Sequence, residues 1–229
     1  MFSKIYNYIV DSIFPKDCIC CHQGDIYLCP SCFKKIDLIT KDICFLCNKE
    51  NSLQGVCDQC REESFLDEIY VPAAFSNSVM EKSVHSLKYD FIEELGEILS
   101  KLLADKIGDK IFESAIMIPV PLHKKRFLER GYNQSSLIAK PLSELMKIDY
   151  SDKIVQRVKK TTQQAKLLRV ERLENLKNAF QCVDKEKVKG KTVLLVDDVI
   201  TSGTTINEVA KILKQAGADK VVALALAHG

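Results

Sequence analysis

Nine of the ten cysteines in this 229-residue chain lie between Cys18 and Cys60, with spacings suited to binding metal. Eight of them form four Cys-x-x-Cys pairs: Cys18/Cys21, Cys29/Cys32, Cys44/Cys47 and Cys57/Cys60. Thiolates two residues apart can turn toward one ion, and two such pairs complete the tetrahedral sulfur shell that Zn²⁺ prefers. The segment is too short and too poor in apolar residues to fold without help from the metal. The spacing therefore predicts two structural zinc sites.

The spacing leaves two ways of pairing these cysteines open. In the sequential pairing, one zinc is held by Cys18, Cys21, Cys29 and Cys32, and the other by Cys44, Cys47, Cys57 and Cys60. An interleaved pairing fits the spacing as well. Cys20 is expected to be a small packing residue and the distant Cys182 a buried thiol.

Two adjacent acids and a hydroxyl-rich loop form a second candidate site near the end of the chain. Asp197 and Asp198 directly follow the apolar run 193–196. The loop that comes next contains Thr201, Ser202, Gly203, Thr204 and Thr205. Backbone amides at the start of a helix favour a phosphate dianion, and glycine permits its close approach. Because carboxylates accept hydrogen bonds from ribose hydroxyls and stabilise positive charge on the ring, the pattern predicts a site for a phosphorylated sugar.

Basic residues are concentrated in one part of the chain, although the formal net charge is only +2. Residues 119–182 contain 14 basic and 6 acidic side chains, whereas residues 61–118 contain 6 basic and 12 acidic ones. Four cations follow the proline pair at 119 and 121: Lys124, Lys125, Arg126 and Arg130. They either bind phosphate oxygens or only keep a surface loop exposed to solvent. A second basic group, between residues 157 and 177, could line a loop that closes on substrate, follow a nucleic-acid backbone, or form a solvated helix face.

Alternating strands and helices must position the acids and the loop. An apolar stripe over residues 1–14 predicts an amphipathic helix that ends at Pro15. Strands are predicted over residues 69–75, 115–120, 154–158, 193–196 and 221–227. The acid pair is expected to end the strand at 193–196. Helices are predicted over residues 91–107, 133–146 and 206–215, with Pro141 expected to kink or split the second of them. This alternation is typical of an α/β domain with a mainly parallel sheet.

Composition restricts the class of protein. With 46% hydrophobic and 28% charged residues, the sequence is that of a water-soluble globular protein rather than a disordered or fibrous one. Neither a secretory signal nor an apolar run long enough to span a membrane is evident, so membrane insertion is not expected. Reduced cysteines fit a cytoplasmic location.

The run 193–205, VLLVDDVITSGTT, resembles the binding motif for phosphoribosyl pyrophosphate (PRPP) of type I phosphoribosyltransferases. The cysteine pairs, IPVPLH at 118–123, RGYNQ at 130–134 and this motif together resemble the ComF competence family over nearly the full length. The resemblance implies a type I phosphoribosyltransferase-like α/β fold, with helices on both faces of the sheet, after a small double zinc ribbon. It also implies a cytoplasmic protein that handles single-stranded DNA during natural transformation, with other competence proteins as further partners.

The expected domains are an N-terminal helix at 1–15, a double zinc ribbon at 16–62 and a phosphoribosyltransferase-like domain at 63–229. We expect an enzyme that binds PRPP with Mg²⁺, with Asp197 and Asp198 on the ribose and residues 201–205 on the 5-phosphate. By the resemblance, Arg130 and Lys124 bind the pyrophosphate side. The alternatives are a catalytically silent module that binds PRPP and nucleic acid, and a nucleotide-salvage phosphoribosyltransferase whose zinc ribbons only stabilise the fold.

Overall fold

The computed structural model describes residues 16–41, 43–50, 55–159 and 176–229. The helix predicted over residues 1–15 and most of the basic stretch that was predicted beyond residue 157 lie outside the described residues. Among the helices that are described, none has the length and apolar character needed to cross a membrane. The domain boundary expected after residue 62 stays a prediction.

A parallel sheet forms the centre of the fold. Its strands are β1 (Glu68–Tyr70), β2 (Ala73–Ala74), β3 (Ala115–Pro119), β4 (Asp149–Tyr150), β7 (Thr192–Ile200) and β8 (Lys220–His228). They are ordered β1-β8-β7-β3-β4, and β2 pairs with the far end of β8. Two further strands, β5 (Val155–Arg157) and β6 (Phe180–Cys182), pair antiparallel in a small separate sheet. The predicted α/β fold with a mainly parallel sheet is confirmed.

Helices cover both faces of the sheet. The described helices are α1 (Pro30–Phe33), α2 (Asp58–Glu63), α3 (Ser78–Tyr89), α4 (Glu94–Ile107), α5 (Lys124–Arg130), α6 (Gln134–Met146) and α7 (Thr204–Gln215). Side chains alternate along the buried central strands, so Val193 and Leu195 face the cluster that includes α7. Leu194 and Val196 face the other cluster, which includes α3, α4 and α6. The sheet is therefore apolar on both faces, as parallel sheets usually are.

The two cysteine-rich segments pack on opposite faces of this sheet. Leu28 of the first segment belongs to the hydrophobic cluster that contains α3, α4 and α6, whereas Phe45 of the second belongs to the cluster that contains α7. Between them, Leu38 forms an antiparallel bridge with Ala73, and the Ile39 amide donates to the Pro72 carbonyl. The connecting chain thus crosses the β2 edge of the sheet and covers backbone groups that would otherwise be exposed.

Predicted boundaries were wrong at the ends of several elements; the helix predicted over residues 91–107, for example, begins at Glu94. The strand predicted over residues 69–75 is two strands, because Pro72 has no amide hydrogen for the ladder. The strand at 193–196 extends to Ile200, so the acid pair lies within β7 instead of ending it. Helix α7 begins at Thr204, two residues earlier than predicted.

Pro141 does not split α6, which is continuous from Gln134 to Met146. Proline has no amide hydrogen, so the Leu137 carbonyl, four residues earlier, loses its usual helical donor. That carbonyl lies against Gly96 of α4, where a Cβ atom would overlap it. The carbonyl that lacks its helical donor thus lies where α4 and α6 pack closely together.

Helices α3 and α5 were not predicted from the sequence, and both carry residues of the site described below. Asn77 caps α3, accepting hydrogen bonds from the Val79 and Met80 amides at 3.1 Å each. The amide of Lys125 near the start of α5 donates to His123 Nδ1 at 3.2 Å, and Gly131 ends that helix with a φ of 79°. These caps satisfy amides that the first turn of a helix leaves without partners.

Candidate functional site

Two four-cysteine clusters occupy the segment before the sheet. Each set of four Sγ atoms lies within 4.8 Å of one another: Cys18, Cys21, Cys29 and Cys32 in the first cluster, and Cys44, Cys47, Cys57 and Cys60 in the second. The structure therefore has the sequential arrangement and not the interleaved one. Cys20 lies outside both clusters and packs against the hydrophobic cluster beside the first.

The geometry of both clusters suits zinc. Four ligands 2.3 Å from a tetrahedral ion lie about 3.8 Å from one another. Here the Cys21 and Cys29 Sγ atoms are 3.6 Å apart, and those of Cys47 and Cys57 are 3.8 Å apart. The Ser31 hydroxyl lies 3.1 Å from Cys29 Sγ and can donate a hydrogen bond to a thiolate there. These two sites are structural zinc sites of the ribbon type.

The loop between β7 and α7 forms a small cup. Residues 199–206 and Asp197 enclose about 70 Å³. Gly203 is the N-cap of α7 and has a φ of +69°, a left-handed conformation that favours glycine. Having no side chain, Gly203 makes no side-chain cap to the amides that begin α7, and the start of a helix is where an anion is favoured. Ser202 Oγ and Thr204 Oγ1 are 2.8 Å apart and add hydroxyl groups to the same cup.

The acid pair adjoins this cup. Asp197 lines both the cup and a larger cleft, and its Oδ1 accepts hydrogen bonds from Ser135 Oγ at 3.0 Å and from the Asp198 amide at 2.9 Å. Although part of Asp197 reaches the cleft surface, burial, followed by the negative charge of Asp198, raises its pKa to about 7. The carboxyl group of Asp197 is therefore harder to ionise than that of an ordinary aspartate.

Asp198 is paired with a lysine from a distant part of the chain. Its side chain is 7% exposed, and Lys88 Nζ at the end of α3 lies 3.0 Å from Asp198 Oδ2. The contact is an ion pair whose angles fall outside hydrogen-bond geometry. A buried carboxylate needs such a counter-charge, and Lys88 supplies it.

Cationic side chains, here called the arginine wall, also line the cleft. The cleft has a volume of about 490 Å³, and Arg126, Arg130 and Arg157 line it together with both acids. Arg130 Nη1 donates to Gln134 Oε1 at 2.8 Å and its guanidinium lies 5.0 Å from the centre of the Tyr89 ring. Burial, followed by the positive charge of Arg126, lowers the pKa of Arg157. Guanidinium groups gathered in this way are suited to binding phosphate oxygens.

Several residues of the cleft escaped the sequence analysis. Tyr89 and Phe91 line it with side chains that are 57% and 59% exposed, and Phe91 has a left-handed φ of 59°, which is unusual for a bulky residue. A backbone that holds an aromatic ring in this way is found more often at functional sites than elsewhere. In the sequence, the signal was an aromatic pair directly after Lys88, at the end of an unrecognised helix.

The predicted residues of the second site do not all meet. Asp197, Asp198, Thr205 and Arg130 line the cleft, and residues 201–205 line the cup, which shares Asp197 and Thr205 with the cleft. Lys124 begins α5 as an exposed residue and lies outside the lining of both cavities. Of the second basic group, Arg157 reaches the cleft, while residues 160–175 are outside the described part of the chain.

Two known domain families match separate parts of the chain. The Double zinc ribbon domain matches residues 9–66, and the Phosphoribosyl transferase domain matches residues 132–229. An adenine phosphoribosyltransferase from Thermoanaerobacter pseudethanolicus is similar over 62% of this chain and 72% of that chain, with 15% identity and a TM-score of 0.37. The fold assignment rests on the domain matches and the strand order rather than on this low score.

Three curated relatives have names that concern DNA or competence. Competence protein F of Haemophilus influenzae is 43% identical over 113 residues, which are 49% of each chain. DNA utilization protein YhgH of Escherichia coli is 34% identical over 143 residues, covering 60% of this chain and 62% of that protein. Competence protein ComFC of Bacillus subtilis is 27% identical over 233 residues, covering 93% of this chain and 90% of that protein. The similarity thus spans about half the length of the first relative and less than two thirds of the second.

The protein is a double zinc ribbon joined to an α/β domain of the phosphoribosyltransferase type. Its homologues are proteins named Competence protein F, ComFC and YhgH, so the predicted resemblance to the ComF competence family is confirmed.

Proposed function

We propose that this protein binds PRPP together with Mg²⁺ and transfers the phosphoribosyl group to a nitrogen acceptor. The observation that carries the proposal is the meeting of three features in connected cavities: the amide cup at 201–205, the acid pair in β7 and the arginine wall. PRPP has a chemical group for each of them, namely a 5-phosphate, two ribose hydroxyls and a pyrophosphate.

The cup suits the 5-phosphate. Its amides lie at the positive end of the twelve-residue helix α7, where a dianion is stabilised by the helix dipole and by donors that lack helical partners. The left-handed Gly203 turns the backbone into the cup, and the Ser202 and Thr204 hydroxyls supply further donors. Because Asp197 and Thr205 line both cavities, a ligand bound here extends directly into the cleft.

The acid pair suits the ribose. Ionised carboxylates accept hydrogen bonds, so the 2- and 3-hydroxyl groups can donate to Asp197 and Asp198. The same negative charge stabilises the positive charge that develops on the ring as the bond to pyrophosphate breaks. Ser135 holds Asp197 in place, and Lys88 balances Asp198 until the ligand enters.

The arginine wall suits the leaving pyrophosphate. Arg126, Arg130 and Arg157 line the same cleft as the acids and can bind its oxygens as it departs. The magnesium ion that accompanies the ligand would neutralise further charge on this leaving group. The proposed transfer breaks the bond from ribose C1 to the pyrophosphate oxygen and forms a bond from C1 to the acceptor nitrogen.

Calorimetric titration with PRPP and Mg²⁺ tests this proposal. We expect the wild type to bind and Asp198→Asn to bind at least about tenfold more weakly, since a hydrogen bond to a charged group contributes about 1.5–3 kcal/mol. Asp184→Asn, which removes a surface acid paired with Lys187, is the matched control and should bind as the wild type does. Absence of PRPP binding in the wild type would refute the proposal. Binding without release of pyrophosphate, in the presence of acceptors, would favour a catalytically silent module.

We further propose that the protein acts in DNA uptake during competence, as the names of its relatives suggest. The cleft supports contact with single-stranded DNA, because the exposed rings of Tyr89 and Phe91 lie beside three arginines. Bases stack on aromatic side chains while cations follow the phosphate backbone. Other competence proteins would be further partners. Cysteine clusters that must stay reduced to hold zinc favour the cytoplasm for this role.

Binding of short single-stranded oligonucleotides at several salt concentrations tests the DNA proposal. We expect affinity to fall steeply with salt, since neutralised phosphates release counterions. The Asp198→Asn variant should retain this binding, which separates it from recognition of PRPP. Affinity that does not change with salt would argue against backbone contacts. Tight binding of one free nucleobase with no binding of DNA would instead favour nucleotide salvage.

A further inference from the structure

A side chain of the second zinc cluster contacts the phosphate cup. Leu46 lies between the ligands Cys44 and Cys47, and a Cβ atom added to Gly203 would overlap Leu46 Cδ2. Leu46 is partly buried and packs against the hydrophobic cluster that includes α7. A leucine of the zinc ribbon therefore lies directly against the residue on which the shape of the cup depends.

A second contact joins the turn between Cys44 and Cys47, here called the second zinc knuckle, to the ends of β7 and β8. The Phe45 carbonyl accepts a hydrogen bond from His228 Nε2 at 3.1 Å, and the two rings meet edge to face at 5.2 Å. His228 pairs with Ile200, the last residue of β7. The Gly229 amide donates to the Ile200 carbonyl at 3.0 Å. The knuckle thus contacts the cup itself and the backbone from which it begins.

The positions of Phe45 and Leu46 depend on the metal site. Both lie in the turn that brings Cys44 and Cys47 to one cluster, and the Asn48 amide closes this turn on the Cys44 carbonyl at 2.7 Å. A structural zinc site fixes the two ends of such a short turn, while Phe45 and Leu46 between them pack on the core. Among the described residues, the corresponding knuckle of the first cluster packs on the opposite face of the sheet, where Ile19 joins the cluster with α3, α4 and α6.

We propose that the second zinc site positions the phosphate cup through Leu46, so that its metal supports ligand binding in the phosphoribosyltransferase domain. Leu46 is a positioning residue, since it contacts the loop and not the ligand. The first zinc site has no such role. This inference rests on the proposed function for its effect on PRPP, whereas the mechanical support of the cup can be measured without that ligand.

Amide hydrogen exchange of residues 201–205 tests the support directly. Leu46→Ala should raise exchange at these amides by about tenfold, because truncation removes a contact that limits local opening. Ile19→Ala, an aliphatic truncation at the first knuckle, is the matched control and should leave exchange in the cup unchanged. Leu46→Met, of similar volume, should retain protection. Zinc content is measured for each variant, and Leu46→Val takes the place of Leu46→Ala if the latter loses metal.

Titration with PRPP forms the second arm. We expect Leu46→Ala to bind about tenfold more weakly than the wild type, and Ile19→Ala and Leu46→Met to bind within about twofold of it. Unchanged exchange in a zinc-loaded Leu46→Ala protein, or an equal effect of Ile19→Ala, would overturn the inference even if PRPP binds. A wild type that binds no PRPP would refute the proposed function, while the exchange arm would still decide whether Leu46 supports the cup.

Discussion

Asp197→Asn should stabilise the folded protein and do so more at high pH. Burial, followed by the charge of Asp198, raises the pKa of Asp197 from 3.8 to about 7. At about 1.4 kcal/mol per pKa unit, ionising this group in the folded state costs up to about 4 kcal/mol more than in the unfolded chain. Asparagine avoids that cost, and its side-chain oxygen can still accept from Ser135 Oγ and from the Asp198 amide.

The sign of the pH dependence follows from the direction of the shift. A carboxyl group with a raised pKa favours folding when it is protonated, and this contribution is lost as the pH rises from 3.8 to about 7. The difference in unfolding free energy between Asp197→Asn and the wild type should therefore grow by about 2 kcal/mol between about pH 5.5 and about pH 8.

Urea unfolding of the zinc-loaded proteins measures this difference at each pH. Loss of zinc at low pH weakens wild type and variant alike, so the difference between them still reports Asp197. The surface variant Asp184→Asn should show no comparable growth with pH. A constant difference across the range, or a variant less stable than the wild type at about pH 8, would refute the assigned environment of Asp197. We also expect Asp197→Asn to bind PRPP more weakly. The wild type would then retain an acid that lowers its stability because binding requires it.

Three further outcomes are expected. Lys88→Met should raise the pKa of Asp197 further, since the lysine charge lowers it in the wild type; the midpoint is followed by titrating the carboxyl carbon by NMR. Gly203→Ala should weaken PRPP binding and lower stability by about 1 kcal/mol because of its left-handed backbone, and adding Leu46→Ala should recover part of the loss, as measured by a double-mutant cycle. Phe91→Ala should weaken binding of single-stranded DNA by about 1–3 kcal/mol without changing its salt dependence, whereas Arg126→Ala should reduce the salt slope by about one, both measured by fluorescence anisotropy.

The parts of the site that the sequence predicted are those formed by local spacing. Four Cys-x-x-Cys pairs bring ligands together within short loops, and the acid pair and cup lie on one continuous strand, loop and helix. The residues between these motifs have little influence on which motif residues come together. Even so, the end of β7 was misplaced, because charged residues usually end a buried strand. Here Asp197 opens onto a cleft and Lys88 neutralises Asp198, so the strand continues.

The parts that could not be predicted depend on contacts between distant residues. Lys88 and Asp198 are far apart in the chain, and so are Ser135 and Asp197. No local pattern distinguishes such a lysine or serine from the many that face solvent. The pairing of the cysteines also required the structure, since the spacing allowed either arrangement. The contact of Leu46 with the cup belongs to the same class, because it joins two domains.

Two ionisable groups that line the cleft lie in environments that disfavour their charged forms. Burial disfavours the ionised form of Asp197 and of Arg157, and each lies near a group of like charge, Asp198 in one case and Arg126 in the other. A molecule that presents hydroxyl groups to the acids and phosphates to the arginines would offset both effects. The electrostatics of the cleft therefore favour a ligand with the two ends that PRPP has.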